Sequence, residues 1–381
     1  MTDEKAPRPA RRGFLKAAAA GGVGAAVLAK PNVSRAQTVT LRFQSTWPQR
    51  DIFHEFAGDF VKRVNEMGGG RLRLELLAAG AVVPAFQLLD AVSAGTLDGG
   101  HGVPAYWFGK NKAFSLFGTS PPWFGDANQL LGWYHYGGGE ALYTELLNDI
   151  VKVNVVAFMT GPMPTQPLGW FKNPIERADQ LRGLKYRTVG LAADLFAELG
   201  AAVVSLPGGE IVPALERGVI DGAEFNNPSS DRVLGFPDVA KVYMIQSFHQ
   251  RTESFEVLFN KAKFEALPAE LKAVIKYASE SASADMSWKQ QDRYSKDLAE
   301  MVARQGVQVR QTPRPVLDAQ LQAWNRVVAR LEGDASSPAA GAFFKKVCDS
   351  QREWCRRVGS FYLRYEASPV IAYNHFFARQ G

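Results

Sequence analysis

The spacing of hydrophobic and polar residues changes period repeatedly along this chain. Val39-Thr40-Leu41-Arg42-Phe43-Gln44 alternates as a strand does, residues 53–64 carry apolar side chains at helical spacing, residues 72–77 alternate again, and residues 86–92 return to the helical period. This exchange continues to about residue 260 and predicts an α/β protein with mostly parallel sheets. The pattern changes after Pro268. Residues 271–301 contain neither Pro nor Gly and read as one long helix. A short strand at Val307-Gln308-Val309-Arg310 and helices over roughly 316–331 and 340–364 complete the chain.

Two stretches echo one another. Ala91-Val92-Ser93-Ala94-Gly95-Thr96-Leu97-Asp98-Gly99 and Ala214-Leu215-Glu216-Arg217-Gly218-Val219-Ile220-Asp221-Gly222 each read as a helix stopped by a Gly that accepts positive φ, then a turn through Asp-Gly into a strand. Strand ends, and with them a ligand crevice, are expected just past Gly99 and Gly222. Two lobes of similar plan facing one another across a cleft account for the duplication.

Charge changes the picture only at the N-terminus. Residues 1–36 hold seven basic residues against two acidic ones, so they carry +5 of the net +6 of the 381-residue chain. The remainder is near neutral and gives no electrostatic argument for a nucleic-acid partner. Arg11-Arg12-Gly13-Phe14-Leu15-Lys16, the small apolar run of residues 17–29 and Ser34-Arg35-Ala36 follow the order of a charged region, an apolar region and a cleavage site, and resemble a twin-arginine signal. The apolar run is too short to span a bilayer, which takes about 20 residues. A periplasmic, soluble mature chain starting near Gln37 is expected. With 46% hydrophobic and 22% charged residues, disordered, collagen-like and disulfide-scaffold classes are excluded.

Enzyme signatures are sparse. The chain has no Cys-x-x-Cys-His, Gly-x-Gly-x-x-Gly, Walker, His-Glu-x-x-His or Gly-x-Ser-x-Gly motif, and its five histidines lack metal-ligand spacing. Cys348 and Cys355 fall seven residues apart in an expected helix. That is about 10.5 Å, beyond the roughly 7 Å limit for bridged Cα atoms, so two small apolar side chains are expected there. An exported enzyme acting on a small carboxylic acid stays as the alternative to a binding protein.

Several segments resemble the DctP-type periplasmic solute-binding proteins of TRAP (tripartite ATP-independent periplasmic) transporters. Gln166-Pro167-Leu168-Gly169-Trp170-Phe171 resembles that family's Gln-x-Gly-Gly-Trp-Phe segment, and Leu181-Arg182-Gly183-Leu184-Lys185-Tyr186-Arg187 its Leu-x-Gly-Leu/Met-Lys/Arg-x-Arg strand. The most specific block is Leu206-Pro207-Gly208-Gly209-Glu210-Ile211 with the Gly218–Glu224 stretch. Ser45-Thr46-Trp47-Pro48, Tyr106-Trp107-Phe108-Gly109-Lys110 and Asn260-Lys261 add support, and the resemblance covers residues 39–375. It looks closest to the subgroup binding 2-oxo acids or related small monocarboxylates, often with a bridging metal ion. The chain departs from that subgroup where Phe225 replaces Trp, Asn226-Asn227-Pro228 replaces Val/Gly-x-Pro, Pro167-Leu168 replaces Met-Gly, and Gln250-Arg251 replaces Glu-Pro.

The resemblance implies a two-lobed periplasmic-binding-protein fold with a long bracing helix and a helical tail. The expected segments are 1–36 (leader), 37–160 (first lobe), 161–254 (second lobe), 255–335 (lobe-crossing strand, long helix and return) and 336–381 (tail and candidate dimerisation element). It makes Arg187 the carboxylate clamp, because a planar guanidinium offers two parallel N–H donors. Gln166, Tyr106, Trp47, Thr46, Phe225 and Asn226 join it as ligand contacts, with Ser45 a further candidate. Glu224, Gln166, the carbonyl of Phe225 and Gln250 are the expected ligands of Na⁺ or Ca²⁺, all hard oxygen donors. For Glu224 an internal partnership with Arg187 is the other reading. Trp123 and Trp170 are read equally as packing or as pocket wall. The implied partners are a small organic carboxylate, the TRAP membrane subunits and a second copy of the chain.

Overall fold

A computed structural model describes residues 38–365 and 367–376. The expected leader, residues 1–36, lies outside them. Eleven strands form two sheets among the described residues. They are β1 (Val39–Ser45), β2 (Leu72–Leu77), β3 (Gly99–Gly102), β4 (Val155–Met163), β5 (Gly169–Phe171), β6 (Lys185–Arg187), β7 (Ala202–Val204), β8 (Gly222–Ala223), β9 (Val242–Met244), β10 (Glu253–Asn260) and β11 (Gln308–Arg310). The first sheet has the order β2-β1-β3-β10-β4 and the second β11-β9-β5-β8-β6-β7. Each anchors one lobe, and helices pack on both.

Parallel pairs hold the expected majority, five against four antiparallel, and both sheets are mixed. β1 pairs parallel with β2 and β3, but β10 runs antiparallel to both β3 and β4, and β5 antiparallel to β8 and β9. The reason is topological. A helix returning a chain to the same sheet gives parallel neighbours, whereas β5 and β10 are entered by segments crossing from the other lobe. Those segments run between β4 and β5 and between β9 and β10. They touch: the Gln166 amide donates to the Gln250 carbonyl at 3.1 Å, and the Thr165 hydroxyl to the Arg251 carbonyl at 3.0 Å.

The helices follow their sequence signals closely. Asp51 caps the helix Ile52–Met67 through the Phe53 amide, and its apolar face is buried. The long helix runs Ala269–Gln305 and stops at Gly306 with φ 67°. Along its length Lys289 pairs with Asp59 and Arg63 with Asp285 in the first lobe, while Asp297 takes Arg232 of the helix Pro228–Leu234, which follows β8. One rigid element therefore grips both lobes.

The tail helix Pro338–Tyr365 docks on its own chain. Phe343, Phe344, Val347, Cys348 and Trp354 join the main core, and the Gln351 side chain donates to the Leu116 carbonyl. Cys348 and Cys355 are free cysteines within this unbroken helix. Phe361 and Tyr362 lie beyond the docked face and are exposed. No described helix is long and apolar enough to cross a membrane.

Candidate functional site

The lobes meet through specific contacts. Ser230 Oγ donates to Asp51 Oδ1 at 2.6 Å, Arg50 donates to the Leu234 carbonyl at 3.0 Å, and Lys112 pairs with Asp194 at 2.7 Å. Beneath them lies a small enclosed cavity walled by both lobes and by the two crossing segments. Trp47, Phe53, Val103 and Tyr106 come from the first lobe, Arg187, Val189, Phe225 and Asn226 from the second, and Gln166, Gln250 and Glu253 from the crossing segments and the start of β10.

Arg187 ends β6 and is 1% exposed. Its guanidinium is held on three sides. Nε and Nη2 donate to the Leu206 carbonyl at 2.9 and 2.7 Å, and Nη1 donates to the Glu224 carbonyl at 2.9 Å and to Glu224 Oε1 at 2.8 Å. Of five N–H groups, one on Nη2 remains. Burial pushes the Glu224 carboxyl upward and the adjacent guanidinium pulls it back. Glu224 is thus the internal partner of Arg187. It is not one of the cavity-lining residues, although its Oε2 is buried without a hydrogen-bond partner.

Local packing explains the glycines of the motifs. Gly169 opens β5 with φ +123°, and a Cβ there would meet the Ala223 carbonyl oxygen at 2.3 Å. Gly208 leaves the space that the Phe225 ring fills, since a Cβ would approach that ring to 2.5 Å. Phe225 then lies 5.7 Å from the Arg187 guanidinium carbon and 6.0 Å from Phe53 across the cleft. Its ring helps exclude water around the cation.

The other expected residues divide. Trp47 lines the cavity, but its indole N–H donates to His101 Nδ1 at 2.8 Å, so it serves as an apolar wall. Tyr106 lines the cavity, and burial raises its phenol well above the ordinary value. Gln166, Asn226 and Gln250 also line it. Gln166 Oε1 and both side-chain polar atoms of Gln250 are buried without partners. Thr46 and Ser45 lie outside the lining, Ser45 being bonded to His54. Trp123 stacks on Arg352 of the tail helix, and Trp170 is buried in the second lobe with its N–H on Asp231.

Sequence reasoning missed Glu253. It is the carboxylate that lines the cavity, at the first position of a strand in which all eight residues are buried. Its Oε2 accepts from Gln166 Nε2 at 2.7 Å and from Asn226 Nδ2. Burial pushes its carboxyl up to about 8. The available signal was weak: Glu253 sits two residues ahead of the mostly apolar run Phe255-Glu256-Val257-Leu258-Phe259, in the same strand. Glu256 in that run answers differently, accepting from Trp107 Nε1 and the Tyr143 hydroxyl, both at 2.6 Å, as a structural hub.

The comparisons with known proteins agree with this architecture. The model of the DctP family, "Bacterial extracellular solute-binding protein, family 7", matches residues 43–334. The chain belongs to the DctP family. DctP proteins are solute-binding receptors rather than enzymes. Among curated relatives, the monocarboxylate 2-oxoacid-binding periplasmic protein of Nostoc sp. strain PCC 7120 is 37% identical over 248 residues, covering 65% of this chain and 67% of that one. Among solved structures, a TRAP transporter solute-binding protein from Bordetella bronchiseptica RB50 superposes with a TM-score of 0.84 at 28% identity. The superposition covers 90% of this chain and 99% of that one, which is described as a mixed-occupancy dimer with calcium and picolinate. A TRAP periplasmic solute-binding protein from Colwellia psychrerythraea with calcium and pyruvate, and one from Pseudoalteromonas atlantica T6c with sodium and pyruvate, each give a TM-score of 0.80 at 27% identity. Both cover 88% of this chain, and this chain covers 100% and 99% of them.

Proposed function

We propose that this chain is the extracytoplasmic receptor of a TRAP transporter, capturing a small 2-oxo or 2-hydroxy monocarboxylate together with a cation and presenting it to membrane subunits. The observation that carries the reading is the pairing, in one enclosed inter-lobe cavity, of a buried guanidinium with buried amide oxygens that have no donor. Gln166 Oε1 and Gln250 Oε1 have no partner in the protein, which is the environment a hard cation relieves. The donor chemistry therefore fits Na⁺ or Ca²⁺, with the Phe225 carbonyl a further oxygen.

Arg187 supplies the anion site. The free N–H on Nη2, together with the Nη1 N–H now given to Glu224 Oε1, forms the edge a ligand carboxylate takes once Glu224 yields that contact. Tyr106 adds a hydroxyl, and Trp47, Phe53, Val103, Val189 and Phe225 exclude water, which strengthens the charge-assisted bonds. Because the walls come from both lobes, ligand contacts are complete only when the lobes are together, and binding shifts the population toward the closed form. Export by the twin-arginine pattern of residues 1–36 and pairing of two copies through the tail complete this reading. Calorimetric titration with pyruvate in Ca²⁺ or Na⁺, and after chelation and desalting, tests it. Saturable one-to-one binding that needs a cation is expected, and the absence of binding by any 2-oxo or 2-hydroxy monocarboxylate under every ion would refute it.

A further inference from the structure

We propose that Asp51 and Ser230 form a latch between the lobes, and that the latch closes on a protonated Asp51, so that ligand capture takes up a proton. The inference adds a control to the receptor function proposed above and rests on that reading. Asp51 belongs to the first lobe, where it caps the helix Ile52–Met67, and Ser230 to the second, in the helix Pro228–Leu234. Their 2.6 Å hydrogen bond therefore exists only while the lobes are together. Two residues past Asp51, Phe53 lines the cavity and faces Phe225 of the other lobe at 6.0 Å. The latch shuts beside the cavity wall.

The two oxygens of this carboxyl are unequal. Oδ1 takes both donors, the Ser230 hydroxyl and the Phe53 N–H at 3.2 Å, while Oδ2 is buried without a partner. Asp51 is 1% exposed, and Arg50 beside it donates instead to the Leu234 carbonyl at 3.0 Å. The other ionisable groups acting with it are Asp231 of the second lobe, Tyr106 of the first and Tyr294 of the long helix. The cations of the elements packed here are taken: Lys289 and Arg293 by Asp59 and Glu55, and Arg232 by Asp297 and Glu300. An anionic Asp51 would hold a bare oxygen in a desolvated interface beside a second acid, whereas a proton on Oδ2 leaves Oδ1 able to accept both donors.

Burial outweighs the hydrogen bonds and Arg50, which favour the anion, and holds the closed-form carboxyl up at about 7. With the lobes apart, Ser230 leaves and water reaches Asp51, which then titrates near the ordinary value of about 4. Between those values the closed form holds a proton that the open form has released. Closing is easiest below the open-form value, weakens by up to about tenfold per pH unit through the interval, and levels off above it, where both forms are ionised.

The test uses the full chain, titrated calorimetrically with pyruvate at saturating CaCl₂ or NaCl at pH 6, in buffers of different ionisation enthalpy, which counts the protons taken up on binding. Asp51→Asn keeps the helix cap and an acceptor for Ser230 but does not titrate. Wild type is expected to take up protons and Asp51→Asn about one fewer, with a shallower fall in affinity from pH 5 to pH 7. Ser230→Ala removes the latch bond and is expected to weaken pyruvate binding about three- to tenfold while keeping the uptake. The wild-type count needs no variant, so a variant that fails to fold leaves the inference exposed to refutation. No uptake by wild type, equal uptake by wild type and Asp51→Asn, or Ser230→Ala affinity within twofold of wild type overturns the latch while leaving the receptor function standing. In small-angle scattering, the ligand-free wild type is expected to be more compact at pH 5 than at pH 8, and Asp51→Asn to be alike at both. That difference in a chain binding no monocarboxylate would support the latch and remove the receptor reading instead, and its absence there would overturn both.

Discussion

At the scale of single residues, the site is a problem in buried charge. Arg187 and Glu224 are both removed from water, and each is tolerable there only because of the other and of the carbonyls of Leu206 and Glu224. Truncating one partner leaves the other uncompensated. Arg187→Ala is therefore expected to lower stability by about 3–5 kcal/mol in chemical denaturation, and to abolish calorimetrically detectable pyruvate binding. Binding within a few-fold of wild type would place the anion site elsewhere. The residue types here were legible: Arg187, Gln166, Gln250 and Phe225 all reach the cavity the sequence anticipated. What escaped was direction. Glu224 closes on Arg187, and Glu253, which the sequence did not single out, lines the cavity from the first position of β10.

At the scale of elements, strands and helices were read well where their period was long and uninterrupted. The 72–77 strand was placed at its observed limits, and the long helix, Ala269–Gln305, runs past its expected span of 271–301 at both ends. Sheet pairing was not legible, because a period of two says which face is buried but not which strand lies beside it. The motif glycines belong to this scale too. Gly169→Ala forces a side chain into the Ala223 carbonyl and into a backbone region that alanine avoids. Because β5 pairs with β8 at Trp170 and Ala223, the whole register must shift. A loss of about 1–3 kcal/mol or more is expected by urea denaturation. A change below about 0.5 kcal/mol would show that β5 carries no such constraint.

For the molecule as a whole, buried acids set the response to pH. Asp51 between the lobes, Asp231 under Trp170 and Glu256 in the first lobe are each pushed up to about 7 by desolvation. In the unfolded chain these carboxyls titrate near 4, so between about pH 4 and 7 the folded form holds protons that the unfolded form has released. Their stabilising contribution is complete below the unfolded values and is lost as pH rises toward 7. The ligand-free melting temperature is expected to fall from pH 5 to pH 8. Glu256→Gln, which no longer titrates, is expected to flatten that slope. A melting temperature that is level or rises over the same interval in wild type would contradict the assignment.

The sequence by itself determined the alternation of elements, the long brace, the glycines that end helices with positive φ, and several of the residue types that line the inter-lobe cavity. These are local matters, written in period, turn chemistry and functional groups. The tertiary structure decided which groups face one another: that Gln166 and Gln250, far apart in the chain, meet on adjoining crossing segments, that Glu224 closes on Arg187, and that Glu253 turns into the cavity. Those outcomes depend on where two lobes and two crossing segments come together, and a buried carboxylate takes its partner from that meeting rather than from its neighbours in the chain.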